Sequence, residues 1–168
     1  MIGRMSARTE AIGGDFRYEH PIEVRFADTD ALGHVNNAVY LTYFEAARAG
    51  YYAAVAGEAF GTGDRASERT FVIAEARVAY RAPAFFGETV LVACRFAWRT
   101  RSSFGIEYRI RAEATAVAPA RHLADGETVQ VMFDFERQRV MRVPLDLLAM
   151  FEAYEGRPIP PRPSRTGE

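Results

Sequence analysis

The stretch NAVYLTYFEAARAGYYAAVA, residues 37–56, decides the fold. Its apolar residues recur at steps of three and four, the spacing of one helical face. They are Tyr40, Phe44, Ala47, Tyr51 and Ala54. The remaining positions are also small or apolar, with few charges beyond Glu45 and Arg48. A helix that is apolar most of the way round is expected to be largely enclosed by the rest of the fold.

Strand-like segments flank this helix, one before it and four after it. Residues 18–28, YEHPIEVRFAD, alternate Ile22, Val24 and Phe26 with charged residues, which predicts a half-buried strand. β-Branched and aromatic content predicts antiparallel strands over 70–84, 88–100, 102–117 and 127–139. The intervening APARHLADGE, residues 118–127, has turn composition. A short amphipathic helix is predicted over 145–156, with Pro144 near its start and Gly156 near its end.

This order of elements predicts an α+β fold in which a sheet wraps a helix. About five antiparallel strands curve around the single long helix, and the sheet edges stay available for a second subunit. The domain is expected over residues 17–156. Residues 1–16 are polar and glycine-bearing, which predicts a flexible leader. Residues 157–168 are proline-rich, which predicts an extended tail.

Composition narrows the possible functions. The chain has 168 residues, 49% of them hydrophobic and 26% charged, as in ordinary globular domains. A net charge of −1 gives no reason to expect nucleic acid as a partner. No apolar run approaches the ~20 residues of a membrane span. The single cysteine, Cys94, cannot form an internal disulfide and is expected in the core, so a cytoplasmic location is predicted.

The chemistry is concentrated just before the helix, in DTDALGHVNN, residues 28–37. Asn36 and Asn37 predict a helix start there, because asparagine is a preferred N-cap. The free backbone N–H groups of that end stabilise a carbonyl oxygen that becomes negative. Gly33 is expected to let the backbone turn tightly beside a ligand.

Asp30 is positioned to act on the carbonyl carbon. It would deprotonate water or attack directly, and a thioester suits this arrangement because thiolate leaves readily. Simpler interpretations stay open: Asp28 and Asp30 are common turn residues, and His34 is a candidate for a loop histidine bonded to the backbone. Glu45 and Arg48 are spaced as a helical ion pair.

The chain resembles the hotdog-fold thioesterases, specifically the 4-hydroxybenzoyl-CoA thioesterase-like branch. The residues that carry the likeness are Asp28-Thr29-Asp30, Gly33 to Asn37, Tyr40, Tyr43-Phe44-Glu45 and Arg48. The resemblance implies a sheet around a central helix, homodimers or homotetramers, and active sites at the dimer interface. It implies acyl-CoA or acyl-carrier-protein substrates, with CoA present only as part of the substrate and no metal.

The resemblance also assigns roles to residues. It implies that Asp30 is the catalytic carboxylate and that the backbone N–H at Asn37 or a neighbour polarises the thioester. His34 is a further catalytic candidate, and Glu45 is a second carboxylate because another hotdog branch carries its carboxylate on the helix. We predict substrate contacts from Gly33, Val35, Asn36, Tyr40, Phe44, Arg99, Arg101, Ser102 and Ser103.

This sequence departs from the family at two points. The 4-hydroxybenzoyl enzyme has bulky apolar residues where His34, Asn36 and Asn37 stand here. The His-Val-Asn-Asn sequence at residues 34–37 is closer to that of bacterial long-chain acyl-CoA thioesterases and plant acyl-carrier-protein thioesterases. The plant enzymes have an asparagine where Leu32 stands. Three hypotheses follow: an acyl-CoA thioesterase, a carrier-protein thioesterase of lipid or polyketide synthesis, and a binding protein that holds a thioester without cleaving it.

Overall fold

A curved antiparallel sheet packs on one side of a long helix. The computed structural model describes residues 11–59, 66–116 and 118–164. The elements are β1 (Tyr18–Glu23), α1 (Val39–Ala56), β2 (Phe71–Tyr80), β3 (Thr89–Arg99), β4 (Ser103–Ala112), β5 (Arg121–Asp134), β6 (Arg139–Val140) and α2 (Leu145–Glu155). The sheet order is β1-β3-β4-β5-β2, with β6 paired to β5. This arrangement confirms the predicted α+β hotdog fold.

Helix α1 buries one face against the sheet and leaves the other open. Tyr40, Phe44, Ala47 and Tyr51 are at most 3% exposed, as the spacing predicts. The expectation that the helix is enclosed all round is wrong for one copy of the chain. Ala54 is exposed, and so are Leu41, Glu45 and Ala49 on the far side, because the sheet of one protomer curves around only one face of α1.

The first and last predicted strands have different bounds in the structure. β1 ends at Glu23, and a short 3-10 turn covers Phe26–Asp28. The alternation predicts Phe26 on the inner face, but it is 76% exposed because the strand has already ended. β5 begins at Arg121, so most of the predicted turn over 118–127 belongs to a strand.

Gly126 explains why β5 carries a residue that usually disfavours strands. The Phe44 ring stacks on Tyr108 with their centroids 4.1 Å apart, directly against β5. A methyl group on Gly126 would collide with the Phe44 ring and with the Arg77 carbonyl oxygen. The missing side chain therefore creates the space that the central helix needs, which is a common reason for glycine inside a strand.

Helix α2 closes the other end of the core. Leu147 and Phe151 are buried, and the buried carboxylate of Glu155 accepts a hydrogen bond from the Tyr51 hydroxyl. The Phe96 backbone N–H lies 3.4 Å from the same carboxylate. Glu155 thus joins α1, β3 and α2, and it is satisfied by donors as a buried carboxylate requires.

Segments on both sides of the predicted domain contact it. Ile159 in the tail is 2% exposed, and the Arg99 N–H donates to the Pro160 carbonyl at 2.9 Å. The structure describes residues 11–16 of the predicted leader, where the carbonyls of Gly13 and Asp15 accept hydrogen bonds from Arg95. Residues 1–10 and 165–168 lie outside the described part. No helix in the described ranges has the length and hydropathy to cross a membrane.

α1 and β2 run in opposite directions, and this places two functional regions far apart. At the helix start, the Tyr80 hydroxyl donates to the Asn37 carbonyl at 2.8 Å. Towards the helix end, the Arg48 guanidinium lies 6.0 Å from the centre of the Phe71 ring. Phe71 and Tyr80 are the two ends of β2, and eleven residues of chain separate Asn37 from Arg48, or about 16 Å at the rise of a helix.

Candidate active site

The loop before α1 folds back on itself as a small antiparallel ladder. Thr29 bridges Val35, the Asp30 N–H donates to the His34 carbonyl at 3.0 Å, and the Gly33 N–H donates to the Asp30 carbonyl at 3.0 Å. Gly33 has a φ of 80°, a left-handed conformation that glycine adopts without steric cost. The expected tight turn at Gly33 is confirmed.

Asp28 anchors this ladder from below. Its side chain is 3% exposed and pairs with Arg25, whose Nη2 lies 2.7 Å from Oδ1 and whose backbone N lies 2.9 Å from Oδ2. The Tyr43 hydroxyl of α1 donates to Oδ2 at 3.0 Å. The hydrogen bonds from the Arg25 side chain are the main cause that lowers the pKa of Asp28. Burial, together with the bond to Asp28, raises the pKa of Tyr43.

Asp30 has a different environment, with one carboxylate oxygen left open. Oδ1 accepts the Leu32 N–H at 2.8 Å, the short turn that aspartate forms readily. Oδ2 lies 3.6 Å from His34 Nδ1, too far for a good hydrogen bond. The two side chains are 25% and 36% exposed, so a ligand can reach them. Asp30 therefore forms the turn that the simpler interpretation predicts and also presents a carboxylate oxygen to the surface.

The helix start lies two to three residues later than the asparagines predict. α1 begins at Val39, preceded by a turn in which Asn36 Oδ1 accepts the Ala38 N–H at 2.9 Å and the Asn36 carbonyl accepts the Val39 N–H at 3.0 Å. Asn36 thus caps the turn that leads into the helix. Within the described ranges, the Asn37 N–H has no hydrogen-bond acceptor in the protein.

This loop presents a candidate base and a candidate oxyanion donor. The ladder sets Asp30 opposite His34. His34 precedes Asn37 by three residues, which span about 10 Å of extended chain. Asn37 is exposed and lies two residues before the first residue of α1. Acyl transfer needs a base and an oxyanion donor, and the exposed Asp30 Oδ2 and the unpaired Asn37 N–H are the candidates for these two roles in this loop. In the described ranges, no group of three or more His, Cys, Asp or Glu side chains is arranged to hold a metal ion.

Three predicted contact residues are core residues in a single copy. Val35, Tyr40 and Phe44 are at most 3% exposed. Tyr40 packs edge-on against Tyr80, with centroids 5.1 Å apart, and the Val35 N–H donates to the Ala84 carbonyl. They support the loop from beneath and do not reach its surface.

The predicted phosphate anchors lie at the opposite end of the sheet. Arg99, Arg101, Ser102 and Ser103 surround the β3–β4 turn, whereas the loop with Asp30 contacts the segment just before β3. β3 has eleven residues and separates the two regions by roughly 35 Å. One copy of the chain therefore does not bring these residues to Asp30.

Glu45 and Arg48 line a cavity near the middle and end of α1. The cavity has a volume of about 260 Å³ and lies between α1, α2 and the inner face of the sheet. The expected ion pair between the two residues is not formed, because Arg48 turns inwards and donates to the Tyr108 hydroxyl at 3.1 Å. The role of Arg25, the partner of Asp28, was not predicted, although its spacing of three residues from Asp28 was a usable signal.

Comparisons with known proteins agree with this fold. A sequence model of the family described as Thioesterase-like superfamily matches residues 24–151. A thioesterase from Thermus thermophilus, crystallised with coenzyme A and zinc, is 33% identical over 86% of this chain and 98% of its own, with a TM-score of 0.70. A hypothetical protein from the same organism is 29% identical over 82% of this chain and 98% of its own, with a TM-score of 0.66. A Pseudomonas aeruginosa protein is 25% identical over 83% and 92% of the two chains, with a TM-score of 0.70. The comparison with curated proteins found no match.

Proposed function

The chain belongs to the thioesterase-like superfamily of thioester hydrolases, and we propose that it hydrolyses an acyl-CoA thioester to a free acid and CoA. The observation that carries this proposal is the open Oδ2 of Asp30, held by a closed turn in the same exposed loop as the unpaired Asn37 N–H. The superfamily supplies the reaction class. The crystallised Thermus thermophilus thioesterase, with its coenzyme A, supports CoA as the carrier of the acyl group.

Asp30 acts as the base or nucleophile in this proposal. As a base, its Oδ2 takes a proton from water while the water oxygen bonds to the thioester carbon; as a nucleophile, Oδ2 itself bonds to that carbon, and water later hydrolyses the resulting acyl–aspartate anhydride to the free acid and Asp30. In both routes the Asn37 N–H stabilises the oxyanion. The C–S bond then breaks and the thiolate leaves. His34, 3.6 Å from Asp30, adds positive charge near the carboxylate whenever its ring is protonated.

We further propose that two copies pair through β2. In the described part of the chain, β2 pairs only with β5, so its other edge is open over ten residues. Val72 and Ile73 on this strand are 36% and 42% exposed. A long, apolar, open edge promotes unwanted pairing unless it is covered. An antiparallel pair of β2 strands about a two-fold axis covers both edges.

This pairing would unite the two groups of predicted site residues. If it is centred between Glu75 and Ala76, Phe71 of one copy faces Tyr80 of the other. The end of the sheet that carries Arg101, Ser102 and Ser103 then approaches the Asp30 loop of the second copy. We therefore keep Arg99 and Arg101 as candidate phosphate contacts across the interface. The free, buried thiol of Cys94 suits a reducing compartment, and we propose the cytoplasm.

A thiol-release assay tests the function. Wild-type protein is given short, long, branched and aromatic acyl-CoAs, and CoA release is followed with a thiol reagent. We expect turnover of at least one member and its loss in Asp30→Asn with the fold intact. Full activity in a folded Asp30→Asn variant would overturn the assignment of Asp30. Tight binding of the whole panel without thiol release would indicate a binding protein, and turnover confined to an acyl-carrier protein would replace CoA as the carrier.

A further inference from the structure

The cavity beside α1 is lined mostly by apolar side chains and contains one cation, Arg48. Its walls include Phe104, Leu147 and Phe151, and Arg48 enters from α1. A dry cavity of about 150 Å³ accepts benzene, so a volume of about 260 Å³ accommodates a group of roughly ten heavy atoms. The apolar walls suit an acyl chain, whereas the guanidinium does not suit its plain hydrocarbon end.

Arg48 keeps most of its hydrogen-bonding capacity unused. Nη1 donates to the Tyr108 hydroxyl at 3.1 Å, and Tyr108 also bonds Thr128 Oγ1 at 2.8 Å. In the described ranges, no carboxylate lies within 4.0 Å of the Arg48 guanidinium, and its other N–H groups have no partner in the protein. Among the described residues, Arg48 has no nitrogen that is both buried and unpaired, so its remaining N–H groups are open to an incoming oxygen.

Pairing through β2 brings this cavity to the reaction centre of the other copy. Phe71 and Ile73 line the cavity, and Tyr80 holds the Asn37 carbonyl beside the free N–H. With Phe71 of one copy opposite Tyr80 of the other, the cavity of the first copy lies next to the Asp30 loop of the second. Neighbouring strands are only about 4.8 Å apart.

We propose that this cavity takes the far end of the acyl group and that Arg48 binds a carboxylate there. The inference rests on the proposed function and names its substrate class, the CoA monothioesters of dicarboxylic acids. The planar fork of arginine matches a carboxylate better than it matches a hydroxyl. Glu45 also lines the cavity, but its side chain is exposed, so water screens its repulsion of the anion.

Three acyl groups of equal length test the selectivity. The kcat/KM values of wild-type protein are measured for adipoyl-CoA, 6-hydroxyhexanoyl-CoA and hexanoyl-CoA. We expect adipoyl-CoA to exceed hexanoyl-CoA by at least about tenfold, as a charge-assisted hydrogen bond provides, with the hydroxyl compound between them. Arg48→Met should bring the ratio of kcat/KM for adipoyl-CoA to that for hexanoyl-CoA close to one. Arg139→Met, at an exposed position of β6, is the matched control and should keep the wild-type ratio.

The outcomes separate this inference from the proposed function. A wild-type ratio near one, or a ratio that persists in Arg48→Met, overturns the role of Arg48 and leaves thioester hydrolysis standing. If no acyl-CoA is hydrolysed, the proposed function fails, and calorimetry of adipoyl-CoA and hexanoyl-CoA binding still tests Arg48. Equal binding of the two, or an unchanged preference in Arg48→Met, would then overturn it.

Two further variants protect the test against misfolding and locate the cavity. Should Arg48→Met fail to fold, Arg48→Lys keeps the charge and stem but loses the fork, and we expect a clearly smaller adipoyl preference. Co-expressed Asp30→Asn and Arg48→Met copies form mixed dimers with one complete site only if the two residues act across the interface. We expect those dimers to recover the wild-type ratio. A ratio near one in purified mixed dimers would place both residues in the same copy and overturn the cross-interface arrangement.

Discussion

Asp28 and Asp30 are separated by one residue, and their carboxylates have opposite surroundings. Asp28 is buried and receives hydrogen bonds from the Arg25 backbone, the Arg25 side chain and Tyr43. Asp30 is partly exposed, receives one strong hydrogen bond from Leu32, and leaves Oδ2 open. A carboxylate with its acceptor sites filled serves structure, whereas one with an open oxygen is available for chemistry. The motif thus has one aspartate that anchors the loop and one whose open oxygen makes it the candidate for the proposed reaction.

The largest expected effect is on turnover, in Asp30→Asn. The amide keeps an oxygen for the Leu32 N–H but removes the base, so we expect kcat to fall by about 10²- to 10⁴-fold. The free energy of unfolding should change by less than about 0.5 kcal/mol, because the side chain has no buried partner to lose. Thiol release and urea denaturation measure the two quantities. A large loss of stability would mean that Asp30 is also an anchor.

Asp28→Asn should show the reverse pattern. Removing the buried negative charge weakens its bonds to Arg25 and Tyr43, and we expect a loss of about 2–3 kcal/mol in the free energy of unfolding. The pKa of Asp28 is lowered in the fold, so its stabilisation is present above the ordinary aspartate pKa of about 4 and is lost as pH falls through the folded value. The gap between wild type and variant should therefore narrow between pH 7 and pH 3 in urea titrations. A gap that does not depend on pH would contradict an ionised anchor.

Tyr43→Phe tests the helix side of the anchor alone. It removes one donor to Asp28 and leaves Arg25 in place, so we expect a loss of about 1.5 kcal/mol. A double-mutant cycle with Asp28→Asn should give a clear coupling energy, because the two groups are in contact. Additive losses would show that Tyr43 stabilises the fold only through packing. The same cycle with Asp30→Asn is the control and should be additive.

Gly33→Ala should give the smallest effect and should act on the Asp30 side. No atom would contact the added methyl group, so the cost is the left-handed backbone, about 1 kcal/mol of unfolding free energy. This turn holds the Asp30 backbone. We therefore expect kcat per folded molecule to fall as well, which a loss of stability alone would not cause. Gly13→Ala is the control, since its surroundings are equally empty and its φ is not in the left-handed region. If Gly33→Ala and Gly13→Ala change kcat equally, the turn at Gly33 has no specific role in catalysis.

The fold was predictable because its strongest signals are local. The three- and four-residue spacing of Tyr40, Phe44, Ala47 and Tyr51 gives the central helix directly. The alternation around Cys94 gives β3, where Val92, Cys94 and Phe96 are fully buried. The start of β5 was missed because alanine, aspartate and glycine disfavour strands. Contacts with Phe44 and Arg81, both distant in sequence, fix that segment in the sheet.

The site was only partly predictable for the same reason. The turn at Gly33 and the free N–H near the helix start follow from local chemistry. The bond that ties Asp28 to α1 comes from Tyr43, fifteen residues away, and the inward turn of Arg48 depends on Tyr108, sixty residues away. No spacing rule within the motif specifies either contact. Whether the two ends of β2 act together depends on a second copy, which one sequence does not describe.

The bond between Tyr51 and Glu155 has a consequence for synthesis on the ribosome. Its two residues are 104 positions apart, whereas the contacts of Asp28 with Arg25 and Tyr43 span only 3 and 15 positions. At about 5–20 residues per second, Tyr51 waits roughly 5–20 s for its acceptor. We therefore expect the reactive loop to settle early in translation, while the hydroxyl of Tyr51 is hydrated until α2 emerges. The end of the nascent domain that contains Tyr51 is therefore the one that stays accessible to chaperones for longest.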